Sequence, residues 1–169
     1  MTQYAESPRF ISDVMLGSLA RWLRILGFDT IYFRAITDNE LIKIARQQER
    51  ILLTRDTGIA RRKQVQQLIL IHSNDTLEQL KEVLSALRIM NRSKRLFPGS
   101  DVPKLSPRCP VCNGELTATE RKAVADDIPE YVFLNATSFF TCRECGKVYW
   151  CGSHKKSIDS ILKQVIDDR

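Results

Sequence analysis

Four short apolar segments, each followed by a segment with helical character, constrain the fold of this chain more than any other feature. The segments span residues 10–12, 30–33, 51–54 and 68–71. Apolar runs of this length, bounded by polar or turn-forming residues, are typical of buried strands. Strands that alternate with helices predict a parallel sheet covered by helices, with right-handed crossovers. We therefore predict an α/β fold.

The segments between these strands carry apolar residues at intervals of three and four. In the first helix the apolar stripe consists of Leu16, Leu19, Ala20, Leu23 and Leu26. Gly27 stands where a helix of this kind ends, and Arg21 and Arg24 lie off the stripe. Thr37 and Glu40 form the pattern of a capping box at the start of the second helix.

Acidic residues follow the predicted strands. Asp13 follows the first strand, Asp56 follows the third, and Asp38 stands at the start of the second helix. In the strand order 2-1-3-4, Asp13 and Asp56 would flank the switch point where open α/β sheets bind ligands. Crowded carboxylates repel one another unless a cation neutralises them. Oxygen ligands without a nearby histidine or thiol select Mg²⁺ or Mn²⁺, which can activate water and hold phosphoryl oxygens.

Each of these acids also has a structural alternative. Asp56 and Asp75 can cap the helices that follow them, and Asp38 can interact with a helix dipole. For Asp75 the capping role is the stronger interpretation, because Glu78 follows three residues later. For Asp13 the alternative is weakest, since its neighbours give little other reason for a charge.

Two CxxC motifs predict a structural zinc site near the C-terminal end. Cys109 and Cys112 form the first motif, Cys142 and Cys145 form the second, and 29 residues lie between them. Four thiolates in two such turns suit tetrahedral Zn²⁺ better than a redox pair or an iron–sulfur cluster. The long gap predicts an inserted hairpin. We interpret the remaining Cys151 as a small apolar residue.

Composition indicates a soluble protein with a basic first part. The chain has 169 residues and a net charge of +6, and residues 1–100 carry 16 basic and 10 acidic groups. Such an excess favours polyanions such as nucleic acid, although it can also serve solubility. The first nine residues contain no signal-peptide pattern and no apolar run could cross a membrane. We expect a cytoplasmic location and no membrane partner.

Several motifs together resemble one known family, the Mut-seven C-terminal ribonuclease domain. They are residues 10–13, 16–17, 19–27, 38–41 and 52–56, both CxxC motifs, and Tyr149-Trp150 with Gly152-Ser-His154. The resemblance covers roughly residues 9–155 and implies a short PIN-like core joined to a zinc ribbon. It also implies metal-dependent RNA cleavage, with acidic ligands at Asp13, Asp38 and Asp56 and a fourth acid at Asp75. Cys151 departs from the family, which usually has proline there.

We therefore predict an endoribonuclease-like enzyme whose Mg²⁺ or Mn²⁺ is held by Asp13, Asp38 and Asp56. The predicted organisation is a PIN-like domain at 1–92, a linker at 93–107, and a zinc ribbon with a terminal helix at 108–169. Candidate RNA-contacting residues are Arg21, Arg24, Arg55, Arg61, Arg62, Lys63, Tyr149, Trp150 and His154. Association with the ribosome or tRNA stays open.

Two other functions fit the sequence. A non-catalytic RNA- or ribosome-binding protein would use its acids only as helix caps. A phospho-acceptor receiver domain also carries aspartates at strand ends. It fits less well, because the zinc ribbon has no part in it and the fourth strand is not followed by the lysine that such chemistry usually needs to neutralise charge.

Overall fold

The computed structural model describes residues 7–94 and 106–151. The first part contains a four-stranded parallel sheet in the order β2-β1-β3-β4, as the sequence predicted. Its strands are β1 (Phe10–Ser12), β2 (Thr30–Tyr32), β3 (Ile51–Thr54) and β4 (Leu68–Leu70). We call residues 7–94 the parallel-sheet region. The prediction of an α/β fold is confirmed.

Helices lie between and after these strands. They are α1 (Gly17–Ile25), α2 (Asp38–Gln47), α3 (Thr57–Ala60) and α4 (Thr76–Lys94), and a 3-10 turn (Val14–Leu16) precedes α1. The short helix α3 begins directly after Asp56, and the basic residues 61–63 follow it. Helix α4 continues past residue 92, where the linker was predicted to begin. The rest of that linker, His154 and the predicted terminal helix lie outside the described residues, except for 106 and 107.

The sheet separates two apolar clusters, because neighbouring residues of a strand point to opposite faces. Phe10 and Leu53 belong to the cluster with α1 and α4. Ile11 and Leu52 belong to the cluster with α2 and Ile59 of α3. Asp13 stands two residues after Ile11, and Thr54 stands two residues after Leu52. The same alternation therefore places both side chains on the face that α2 covers.

Helix α1 ends at Ile25 with Leu26 as its C-cap, and Gly27 stands at the next position, where the sequence predicted a terminating glycine. Gly27 has φ +94°, which is in the left-handed region. The N–H of Gly27 donates to the carbonyl of Arg24, and the N–H of Phe28 donates to that of Leu23. These two bonds form a Schellman motif, which turns the chain directly into β2.

The cysteine region forms a three-stranded antiparallel sheet in the order β5-β6-β7, and we call residues 108–151 the ribbon. Its strands are β5 (Leu116–Thr119), β6 (Phe139–Cys142) and β7 (Val148–Trp150). The insertion between the CxxC motifs is not a simple hairpin. A 3-10 helix (Arg121–Asp127) and α5 (Glu130–Asn135) connect β5 to β6, and they pack on a small apolar cluster that includes Phe139.

Arg24 fastens the ribbon to the parallel-sheet region. The sequence predicted that Arg24 lies off the buried stripe of α1, and this is wrong, because its side chain is 5% exposed. Its guanidinium donates to the carbonyls of Thr30, Pro110 and Val111 at 2.9–3.0 Å. Burial lowers the pKa of Arg24, although the nearby Cys109 and Cys112 oppose that effect.

The helices of the described ranges give no membrane-spanning segment. None of them is both long and apolar enough to cross a bilayer.

Candidate functional site

Asp13 lies at the end of β1, in a largely buried position. Its side chain is 7% exposed. It accepts a hydrogen bond from the backbone N–H of Val14 at 2.5 Å and another from the hydroxyl of Thr54 at 2.7 Å. The backbone N–H of Asp13 also donates to the carbonyl of Leu53, on the neighbouring strand. Two hydrogen bonds therefore fix the Asp13 carboxylate at the carboxyl end of the sheet.

Thr54 joins Asp13 to Asp56. Its fully buried hydroxyl donates to Asp13 Oδ2 and accepts from the backbone N–H of Asp56 at 3.0 Å. The side chain of Asp56 is exposed and caps α3, since Oδ1 accepts from the N–H groups of Gly58 and Ile59. Within the part of the chain that the structure describes, Oδ2 of Asp56 has no hydrogen-bond partner. The two acids predicted to flank the switch point therefore do lie on adjacent strand ends.

Asp38 is the first residue of α2 and pairs with Arg62. The distance from Asp38 Oδ2 to the guanidinium of Arg62 is 2.8 Å, and both side chains are partly exposed. Arg62 also donates to Asn39 at 2.8 Å. The capping box before Asp38 is present, because Thr37 and Glu40 exchange both hydrogen bonds. The hydrogen bonds from the hydroxyl and the backbone N–H of Thr37 lower the pKa of Glu40.

Asp75 has the capping role that the sequence favoured. It is exposed, and its Oδ1 accepts from the backbone N–H groups of Leu77 and Glu78 at the start of α4. Its own N–H donates to the hydroxyl of Ser73. These contacts describe a helix cap, and we leave Asp75 out of the site proposed below.

The three remaining acids share an edge of the sheet without forming a closed metal cage. Within residues 7–94 and 106–151, the side chains placed to hold one metal ion are four cysteines. Asp13, Asp38 and Asp56 are not a second such group in this conformation. Their oxygen donors nevertheless suit a hard divalent cation.

The basic residues predicted to contact RNA differ in exposure. Arg21, Arg61 and Lys63 are exposed. Arg55 is half-buried, and its Nε is buried without a hydrogen-bond partner among the described residues. A buried donor of this kind is costly unless a ligand completes it. Arg24 is occupied by backbone carbonyls, so we do not include it among the RNA contacts proposed below.

The four cysteines of the CxxC motifs converge. Cys109, Cys112, Cys142 and Cys145 have their sulfur atoms within 4.8 Å of one another. The Sγ atoms of Cys112 and Cys142 are 3.3 Å apart, and those of Cys109 and Cys145 are 3.7 Å apart. Four cysteines so close together can hold a zinc ion, as predicted.

The thiols of this quartet differ in pKa. For Cys109, burial raises the pKa, but hydrogen bonds from Tyr149, Cys112 and Val111 outweigh this effect and lower the pKa to about 6. For Cys112, burial and the neighbouring thiols raise the pKa to about 12. Crowded thiols resist joint ionisation, and a bound cation removes that resistance. The donor set therefore fits zinc.

Of the aromatic candidates in the ribbon, Tyr149 is directed inward and Trp150 outward. The hydroxyl of Tyr149 lies 3.0 Å from Cys109 Sγ, and burial together with this contact raises its pKa. Trp150 is 40% exposed, so it remains available to stack on a base. Cys151 is half-buried, and its N–H bonds to the carbonyl of Ser138.

A further contact that the sequence did not predict is made by Asn113, beside the first zinc knuckle. Asn113 has φ +71°, accepts from the N–H of Thr30 at 3.0 Å and donates to Asp29 at 2.7 Å. Asp29 in turn forms a bidentate pair with Arg50 at 2.8 and 3.0 Å. The signal available was the residue after CxxC, where an asparagine tolerates the left-handed region better than most residues.

Comparison with protein families identifies the family of this chain. The family model of the Mut7-C RNAse domain matches residues 8–162, which is nearly the whole chain. Neither the curated proteins nor the solved structures gave a match. The family description indicates a nuclease-type enzyme with RNA as substrate or partner. The resemblance in the sequence is thereby confirmed, and the chain belongs to the Mut7-C RNAse domain family.

Proposed function

We propose that the protein is a metal-dependent ribonuclease whose site lies at the carboxyl ends of β1 and β3. The observation that carries this proposal is the Thr54 hydroxyl, which joins Asp13 and the backbone of Asp56. Ligand sites of open α/β sheets occur at such an edge, beside the switch point. Family membership makes RNA the substrate to test first.

Asp13, Asp56 and Asp38 would supply carboxylate oxygens to Mg²⁺ or Mn²⁺. Bound there, the ion would lower the pKa of a water molecule and neutralise charge on the phosphate during displacement. Asp13 is already oriented by Val14 and Thr54. Asp38 would first have to exchange its contact with Arg62 for the ion, because its Oδ2 is occupied by that guanidinium.

Cationic side chains around this edge would hold the phosphate backbone. The buried Nε of Arg55 has an unfilled hydrogen-bonding position that a phosphate oxygen can complete. Arg62, released from Asp38, would face the same phosphate group. Arg21 and Arg61 are exposed and would add contacts along the RNA.

Substitution of the acids tests the proposal. Asp56→Asn and Asp13→Asn should lower Mn²⁺-dependent cleavage of end-labelled single-stranded and structured RNAs by at least about 100-fold, more than outer partners of metal ligands contribute. RNA affinity should stay equal or increase, because a negative charge is removed. Asp126→Asn, at an exposed acid of the ribbon, is the matched control. If the Asp56→Asn protein cleaves as the parent does, the proposed site is wrong.

A second function, RNA binding without cleavage, is favoured by the structural contacts of the acids. Asp13, Asp56 and Asp38 each have hydrogen-bond partners within the fold, as helix caps and ion pairs do. In this case the purified protein binds RNA but leaves it intact with Mg²⁺ or Mn²⁺. The cleavage assay of the parent protein, run beside the Asp56→Asn and Asp13→Asn variants, therefore separates the two functions.

A further inference from the structure

A groove runs beside α2, away from the acidic edge of the sheet. It consists of two adjoining pockets, of about 490 Å³ and about 320 Å³. Both pockets are lined by Ile42, Arg46 and Gln64, so they lie next to each other along α2. The larger one begins at Asn39 and Arg62, beside Asp38, and the smaller one reaches Arg9.

One wall of the groove is a single face of α2. Asn39, Lys43 and Arg46 stand four and three residues apart, a spacing that places side chains in one row along a helix. From Asn39 to Arg46 this row extends about 10 Å along the axis. The opposite wall is the segment after α3, where Arg62 and residues 64–67 line the pockets.

The groove is strongly cationic. Arg9, Lys43, Arg46, Arg50 and Arg62 line it, although Arg50 is buried and paired with Asp29. Glu49 is the acid that lines it with them. Lys43 and Arg46 are exposed, and neither forms a salt bridge with any residue of the described ranges. Amide side chains lie between these charges and can donate to anionic oxygens. They are Asn39, Gln47, Gln64, Gln66 and Gln67.

We propose that this groove binds the backbone of a single RNA strand as the strand leaves the acidic edge. The inference rests on the proposed function for its direction, because the groove begins beside Asp38. Its cations are distributed over both pockets, because Lys43, Arg46 and Arg62 line the larger one and Arg9 lines the smaller one. This arrangement suits a chain of regularly spaced phosphates better than one free anion, and such contacts position a strand without reading its sequence.

Binding measurements test the groove separately from cleavage. Fluorescence anisotropy of a labelled 12-nucleotide RNA is measured without Mg²⁺ or Mn²⁺ and without a chelator, which keeps zinc in place. Lys43→Gln with Arg46→Gln should weaken binding about tenfold and reduce the salt slope by about 1.4, because two phosphate contacts are lost. Lys122→Gln with Lys147→Gln removes the same charge from exposed positions of the ribbon and should change affinity less than about twofold.

Three results would contradict the proposal that this groove binds RNA. The α2 double variant binds like the parent protein, or the ribbon control weakens binding equally, or inorganic phosphate displaces RNA whose affinity does not depend on its length. The last result would indicate a site for a small anion. Thermal melting of both double variants checks that the fold is retained.

Single-turnover cleavage distinguishes failure of the groove from failure of the proposed nuclease. If both proposals hold, the α2 double variant needs more enzyme to reach half-maximal rate but reaches the same maximal rate. If the parent protein cleaves nothing while the binding difference persists, the groove stands and the nuclease proposal falls. If the parent protein and the α2 double variant cleave with the same dependence on enzyme concentration, the nuclease proposal stands and the groove proposal is wrong.

Discussion

At the scale of single residues, the proposed site depends most on Thr54. It is fully buried and its hydroxyl serves as donor to Asp13 and as acceptor for the backbone of Asp56. A partner behind a metal ligand commonly contributes 10–100-fold, so Thr54→Val should lower cleavage by about 10–100-fold. It should also destabilise the protein by about 1 kcal/mol. Single-turnover kinetics and urea unfolding measure the two effects.

A conservative variant separates the effect of the Thr54 hydroxyl from the effect of the volume of its side chain. Thr54→Ser keeps the hydroxyl and should retain cleavage within about threefold, because the two hydrogen bonds can re-form. If the Ser variant is impaired as strongly as the Val variant, the hydroxyl does not account for the loss of cleavage, and the assigned link from Asp13 through Thr54 to Asp56 is wrong.

Asp29 should make stability depend on pH. Burial raises its pKa, but the bonds from Arg50 and Asn113 outweigh this effect, so its pKa is lowered in the folded state. A lowered folded pKa contributes stability above the ordinary Asp value, about pH 4, and this contribution is lost as the pH falls through the folded value. Asp29→Asn should therefore cost about 2 kcal/mol at pH 6 and less at pH 3.5.

Urea unfolding of both proteins at each pH checks this. Protonation of the zinc ligands affects parent and variant alike, so the difference between them isolates Asp29. A difference that is the same at both pH values would contradict the assigned ion pair with Arg50.

At the scale of elements, the start of α2 links stability to the site. Thr37 and Glu40 form a complete capping box, and Asp38 is the residue that follows the cap. Thr37→Ala should destabilise the protein by about 1 kcal/mol, and Thr37→Ser should be close to neutral. Cleavage should fall with Ala and recover with Ser, because the cap fixes the direction of Asp38. Thermal unfolding and the cleavage assay are compared for the two variants.

The regular elements could be predicted because each has a local cause. The apolar run of β3, the capping box and Gly27 all act within a few residues, and the strand order followed from where the acids must meet. Helix α3 has four residues, too few for an apolar repeat to show. The helical insertion of the ribbon depends on packing around Phe139, which the spacing of cysteines does not encode.

The site was predictable in part for the same reason. Strand ends gave Asp13 and Asp56 as neighbours, whereas the link through Thr54 requires knowing which way each side chain points. Arg24 shows the limit of helical periodicity, because its burial comes from carbonyls about 86 residues further along the chain. Contacts of that separation are fixed by tertiary packing.

At the scale of the whole molecule, the zinc knuckle and the parallel sheet should be coupled. Arg24 holds the carbonyls of Pro110 and Val111, and Asn113 holds the N–H of Thr30. Removing zinc should raise hydrogen exchange at the end of α1 and in β2 by at least about tenfold, or about 1.4 kcal/mol of opening free energy. Exchange in β3 should change little, since β1 and β4 flank it.

A substitution tests the same coupling with zinc bound. Arg24→Gln should increase exchange in β2 while the metal content, measured by mass spectrometry, stays at one zinc per chain. If hydrogen exchange in β2 is unchanged in both the zinc-free protein and the Arg24→Gln protein, the ribbon contacts the parallel sheet without stabilising it.

Asn113 and Arg24 cover the outer edge of β2, and this has a consequence for self-association. Strand β2 is the last strand on its side of the sheet, and Asn113 occupies the outward N–H of Thr30 while Arg24 occupies the carbonyl. Uncovered strand edges recruit strands from other molecules. Loss of the metal would withdraw this cover, so metal-depleted protein should aggregate through β2, and the cysteine quartet would act as a safeguard of solubility.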